Sequence, residues 1–134
     1  MPNFTRLVDI ARAIKLEKQS GRSFHVAFAL RHRKIIEIGV NNLKKCSPAS
    51  LKYKPYNDWH RPDYKARIHA EMDCIGRLNR LDIDHKKIII VSIRIDNNGR
   101  VSCGKPCPNC AYQLGLAGYS KVFYSDSNGQ FNKL

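Results

Sequence analysis

Lys87-Ile88-Ile89-Ile90-Val91-Ser92-Ile93-Arg94-Ile95 is nearly all apolar. A run of this length without alternation is what a strand covered on both faces presents. It predicts a central strand with helices on either side, and so an α/β domain. The flanking segments supply the partners. Phe4, Leu7, Val8, Ala11 and Ile14 recur at helical spacing, and Ser20-Gly21 stops that helix. Phe24, Val26, Phe28 and Leu30 alternate as a strand does. Arg31-His32-Arg33-Lys34 is a polar turn, and residues 35–40 return as the second arm of a hairpin. A second helix is predicted over roughly residues 68–81, with Ala70, Cys74, Leu78 and Leu81 near one face. Asp96-Asn97-Asn98-Gly99 signals a turn after the central strand. Residues 108–116 can form a third helix closed near Gly118. Residues 121–125 read as a fourth strand, and Ser127-Asn128-Gly129 as a final turn. The expected order is α-β-β-α-β-α-β, with one mixed sheet and a single domain over residues 1–134. No internal repeat or linker divides it.

The chain has 134 residues, enough for one core and little more. It holds 24 Lys+Arg against 11 Asp+Glu, a formal charge of +13. Such a balance favours a polyanionic partner or substrate and disfavours a neutral metabolite. The excess is uneven: 12 basic against 3 acidic residues in residues 1–54, and 12 against 8 in residues 55–134. With 43% hydrophobic residues, 8 Gly and 6 Pro, the composition is neither disordered nor collagen-like. No apolar run, Ile88 to Val91 included, is long enough to span a bilayer, and the first residues carry no secretory pattern. The expectation is a cytoplasmic protein, or one of the host cytoplasm if the source is viral, without a membrane partner.

Residues 41–65 read as a long irregular stretch. It carries Pro48, Pro55 and Pro62, and four aromatics: Tyr53, Tyr56, Trp59 and Tyr64. Lys52, Lys54, Arg61 and Lys65 lie among them. Aromatics between cations can stack bases and follow phosphates, or can simply cover the domain. A loop this long inside a small domain is usually functional. Because it runs into His69, it is the best candidate for substrate selection.

The cysteines are Cys46, Cys74, Cys103, Cys107 and Cys110, an odd count that argues against a disulfide framework. Cys107 and Cys110 form a Cys-x-x-Cys pair, which alone is either half of a metal site or a redox dithiol. His69-Ala70-Glu71, upstream, completes it. One imidazole and two thiolates give three ligands, and a catalytic zinc takes three protein ligands plus an open water position. Both groups fall at predicted helix starts, where the dipole and free N–H groups favour thiolates. Zinc lowers the pKa of a bound water to about 7. Glu71, two residues past the histidine and off the metal, can move that proton to a ring nitrogen and a leaving amine. A purely structural metal site has no need of such a carboxylate. Cys103 is a loop or buried thiol, since a fourth protein ligand would displace the reactive water. Cys46 and Cys74 read as a loop thiol and a core thiol. His25, His32, His60 and His85 have no partner motif and read as ordinary.

His-x-Glu followed by Pro-Cys-x-x-Cys is the signature of zinc-dependent base deaminases. The sequence resembles the cytidine and deoxycytidylate deaminase superfamily over nearly its whole length, in the two motifs and in the element order around them. The resemblance implies a three-layer cytidine-deaminase-like fold and one zinc ion per chain, held by His69, Cys107 and Cys110, with Glu71 as the catalytic acid/base. His69 in place of a cysteine is similar to the deoxycytidylate, tRNA-adenosine and polynucleotide branches, and Cys110-Ala111 looks like the first two of these. Gly39-Val40-Asn41 looks like the family's Gly-x-Asn, so Asn41 is a candidate substrate contact, as are Trp59 and Ala70. Two departures stand out. Residues 96–105 intervene before the Pro-Cys pair, and Lys105 stands where an acidic residue is common. The implied reaction is hydrolytic conversion of cytosine to uracil, in a nucleotide of the deoxycytidylate kind or in single-stranded nucleic acid. The alternatives are adenosine deamination of the tRNA type and an inactive zinc-stabilised nucleic-acid-binding module. Dimers or larger homo-oligomers are common where this resemblance leads.

Overall fold

A computed structural model of the chain describes residues 2–18, 24–46 and 67–134. Helix α1 (Phe4–Glu17) leads into strands β1 (Phe24–Arg31) and β2 (Lys34–Val40). Strands β3 (Asn42–Cys46) and β4 (Arg67–Ile68) precede helix α2 (Ala70–Leu78). Strands β5 (Ile89–Ile95) and β6 (Val101–Ser102), helix α3 (Pro108–Leu116), and strands β7 (Lys121–Ser125) and β8 (Phe131–Lys133) complete the order. The six-stranded sheet runs β2-β1-β5-β7-β8, with β6 also paired to β5; β3 and β4 form a separate two-stranded sheet. The sheet is mixed: β5 and β7 are parallel and the other pairs are antiparallel. A parallel pair needs a crossover, and α3 lies in the connection that carries the chain from β6 to β7.

The architecture is α/β with helices on both faces. Phe24, Val26, Phe28 and Leu30 of β1 join Val91, Ile93 and Ile95 of β5 against Leu7, Val8 and Ala11 of α1. On the other face, Ala27, Ala29, Ile88 and Ile90 meet Met72, Cys74, Ile75 and Leu78 of α2, and Cys110 and Leu114 of α3. The alternation in β1 thus sorts large residues to one helix layer and small ones to the other. Small residues let α2 lie close. Gly39 of β2 has no Cβ, and one added there would collide with the Ala70 carbonyl and the Cys74 amide and lie 2.8 Å from the Cys74 Cα. Those atoms are helix backbone and cannot step aside singly. Gly39→Ala is therefore expected to destabilise the fold by about 3 kcal/mol, the upper end for overpacking, in a urea denaturation series.

Most of the sequence-predicted elements stand where the periodicity puts them. His32 and Arg33 both have positive φ, at 52° and 65°, as a two-residue hairpin turn requires. The differences are local. Helix α2 ends at Leu78, and Leu81, expected on its buried face, is 43% exposed. The stretch expected to be irregular from residue 41 opens as strand β3; residues 47–66, with Trp59, lie outside the described residues. The end of the chain adds a strand: Phe131 of β8 stacks on Phe4 with ring centroids 4.2 Å apart. Two like turns build the C-terminal half. Asp96 Oδ1 accepts from the amides of Asn98 and Arg100, and Asp126 Oδ1 from those of Asn128 and Gln130. Among the described residues no helix is long and apolar enough to cross a membrane.

Candidate metal centre

Three candidate ligands of two types converge where α2 and α3 begin. His69 is the N-cap of α2; its side chain makes no capping bond, so the imidazole is left for other partners. Cys107 is the N-cap of α3, with Pro108 at the first helical position, where a missing N–H costs nothing. The Cys107 sulfur accepts from the Cys110 amide at 3.4 Å. The Cys-x-x-Cys spacing is therefore an N-cap-to-N3 spacing, which turns both sulfurs to the helix start. His69 Nδ1 lies 3.2 Å from the Cys110 sulfur and 3.4 Å from the Cys107 sulfur. The three ligand atoms all fall within 4.8 Å of one another. Tetrahedral zinc at ordinary bond lengths separates such atoms by about 3.6 Å. The donor set therefore fits a tetrahedral, sulfur-preferring metal with small adjustments, and Nδ1 is the imidazole atom on offer.

The protons at this cluster are shared. The Cys110 thiol beside it, more than the His69 imidazole, holds Cys107 down to about 4 against the opposing effect of burial. Cys110 is pushed up, first by its bond to Cys107 and then by burial. His69 is raised, chiefly by its bond to Cys107. Cys107 is thus a ready thiolate, whereas His69 and Cys110 hold on to protons that a metal must displace. Zinc binding should release protons and strengthen as pH rises, because raised pKa values leave more proton to remove at lower pH. Calorimetric zinc titrations in two buffers of different ionisation enthalpy measure that release directly.

Glu71, in the first turn of α2, is fully buried. Its Oε1 accepts from the Ser92 hydroxyl at 2.7 Å and lies 3.2 Å from His25 Nε2. Burial alone would raise this carboxyl, yet the neighbouring His25 and the Ser92 hydroxyl bring it below the ordinary range. The Cys110 thiol is within its hydrogen-bonding reach, so the carboxylate borders the ligand cluster. Ser92 in turn lies 2.8 Å from the Gly104 carbonyl. Gly104 can approach because it has no side chain: a Cβ there would stand 2.8 Å from the Ser92 carbonyl and 2.9 Å from the Ser125 hydroxyl.

His69, Glu71, Cys107 and Cys110 are thus brought together. Asn41, read as a substrate contact, has its side-chain carbonyl on the His25 amide at 3.1 Å, while its own amide donates to the His25 carbonyl at 3.3 Å. Ala70, the first residue of α2, is fully buried in the core. Cys103 is exposed in the loop before α3, and Cys74 is a buried core thiol pushed up to about 12 by burial. His25, read as ordinary, is in fact a partner of Glu71. Two sequence signals point to it. His25 occupies the face of β1 opposite Phe24 and Val26, and Ser92 is the lone hydroxyl in an apolar run. No family model and no curated protein matches the chain.

Proposed function

We propose that the chain is a zinc-dependent hydrolytic deaminase that converts a cytosine base to uracil, in a nucleotide or in single-stranded nucleic acid. The observation that carries this reading is the buried Glu71 carboxylate beside a His-Cys-Cys cluster. A metal site that only braces a fold gains nothing from an acid buried against it, and burying one is costly. Zinc held by His69 Nδ1 and the two sulfurs would supply Lewis acidity and an activated water at its fourth position. Glu71 accepts a proton as the water oxygen bonds to the ring carbon bearing the amine. It passes that proton to the ring nitrogen, then takes the remaining hydroxyl proton and gives it to the amine, which leaves as ammonia. His69, Cys107 and Cys110 hold the metal, and Ser92 and His25 hold the carboxylate.

The surroundings favour an aromatic, anionic substrate. Tyr124 pairs with Ser92 across β5 and β7, so its ring lies on the face that carries Glu71. The Lys105 ammonium stands 6.0 Å over that ring. Lys105 and Arg94 are both exposed cations near this end of the sheet. The overall charge of +13 gives a strand of phosphates the same attraction as a single one, over a wider surface. Zinc-loaded chain should deaminate at least one of dCMP, CMP, cytidine, single-stranded DNA and single-stranded RNA. Mass spectrometry reads the product as a gain of about one dalton, the net of exchanging an amine for a carbonyl. If the substrate is a strand, its binding should weaken steeply between about 50 and 200 mM salt. Product from an adenine substrate alone would move the reading to adenosine deamination. No product from any of them would overturn it.

A further inference from the structure

We propose that His25 is a positioning residue for Glu71. It donates a hydrogen bond from Nε2 to Oε1 and leaves Oε2 for the proton transfers. The catalytic consequence rests on the deaminase reading; the hydrogen bond does not. The inference comes from counting protons. Two acceptors face the Ser92 hydroxyl: Glu71 Oε1 at 2.7 Å and the Gly104 carbonyl at 2.8 Å. A serine has one proton to give. Both acceptors are buried, where an unmet one costs about 1–3 kcal/mol. A second donor is needed, and His25 Nε2 stands 3.2 Å from Oε1 and within 2.5 Å of the Ser92 oxygen. With the proton on Nε2, His25 keeps Glu71 served whenever the Ser92 hydroxyl turns to Gly104. With Nε2 bare, a nitrogen lone pair would face a carboxylate, and one acceptor would go without.

The ring is held to this task. The His25 backbone is tied on both sides by Asn41, and it sits opposite Arg94 in the β1–β5 ladder. Next along the same face of β1 are Ala27 and Ala29, both fully buried core alanines. An imidazole there, 22% exposed against 1% for Glu71, departs from that pattern of small packing residues. Its reach is what the position uses. Asn41 thereby gains a role in the scaffold, since it fixes the strand end that carries His25.

The test uses the zinc-loaded full chain and the substrate found in the panel above. His25→Ala should keep about one zinc per chain and lose about 10- to 100-fold in kcat, as the loss of an outer-shell partner does, with little change in KM. His25→Gln, whose amide N–H can replace Nε2–H, should recover most of that loss. An unchanged kcat in His25→Ala, or equal losses in both variants, would overturn the proposal. If His25→Ala fails to fold, the unsubstituted chain still decides it. Nitrogen-15 correlation spectra should show a solvent-protected His25 Nε2–H whose resonance moves in Glu71→Gln. Absence of that signal, or indifference to the substitution, overturns the positioning role while deaminase turnover stands. Its presence in a chain that deaminates nothing upholds the hydrogen bond and overturns the deaminase reading.

Discussion

Glu71→Gln should bind about one zinc per chain and lose at least about 10²-fold in turnover, the lower end of what general acid–base catalysis contributes. The amide matches the carboxylate in shape. It can still accept from Ser92 Oγ, so the buried contact at 2.7 Å survives. What it lacks is the ability to take a proton and give it back. Metal content by elemental analysis and ammonia release by a coupled assay separate the two effects. Full zinc with full ammonia release would remove Glu71 from the chemistry. Loss of zinc would instead make it part of the metal's support.

Cys107→Ser and Cys110→Ser should each lose zinc, and with it a large share of the stability that zinc confers. Binding to the folded state alone stabilises by about 4 kcal/mol when free zinc exceeds its Kd a thousandfold. For a chain of 134 residues that corresponds to a fall in Tm of about 15 °C. The two variants should differ without metal. Cys107 is the N-cap of α3 and its sulfur accepts from the Cys110 amide; serine is a good N-cap and can replace that bond. Cys110 is fully buried, and a hydroxyl there must find a new partner. In EDTA, Cys107→Ser should melt close to the parent chain and Cys110→Ser below it. Equal zinc content in parent and variants would refute the ligand set.

Much of this was legible in the sequence because it is written locally. The apolar run at 87–95 names the central strand through a continuity that needs no partner. The N-cap geometry of Cys107 and Cys110 follows from Pro108 and a three-residue spacing. The periodicity overextends helix α2 because Leu81 keeps the helical period past the point where the helix stops, at Leu78. Strands β3 and β4 escape a local reading because short strands are decided by the neighbour they pair with, and that neighbour is distant in sequence; β6 and β8 escape it because they are too short to show a period. The environment of Glu71 was illegible for the same reason. Ser92 is 21 residues from Glu71 and 67 from His25, and no motif spans such gaps. The register of β1 on β5 sets His25 near Ser92, and the packing of α2 on that face brings Glu71 to them.

The hairpin of β5 and β6 sets how the His-Cys-Cys cluster is reached. The chain leaves the central strand, turns at Asp96, and comes back beside Arg94 and Ile95 before starting toward Cys107. Ser125 then holds the returning segment twice: its hydroxyl donates to the Ser102 carbonyl, and its carbonyl accepts the Gly104 amide at 2.9 Å. Contour length and spatial separation are thereby uncoupled. Residues added or removed at the hairpin tip need not move Cys107, because the path is fixed again at Ser125 before it reaches the His-Cys-Cys cluster.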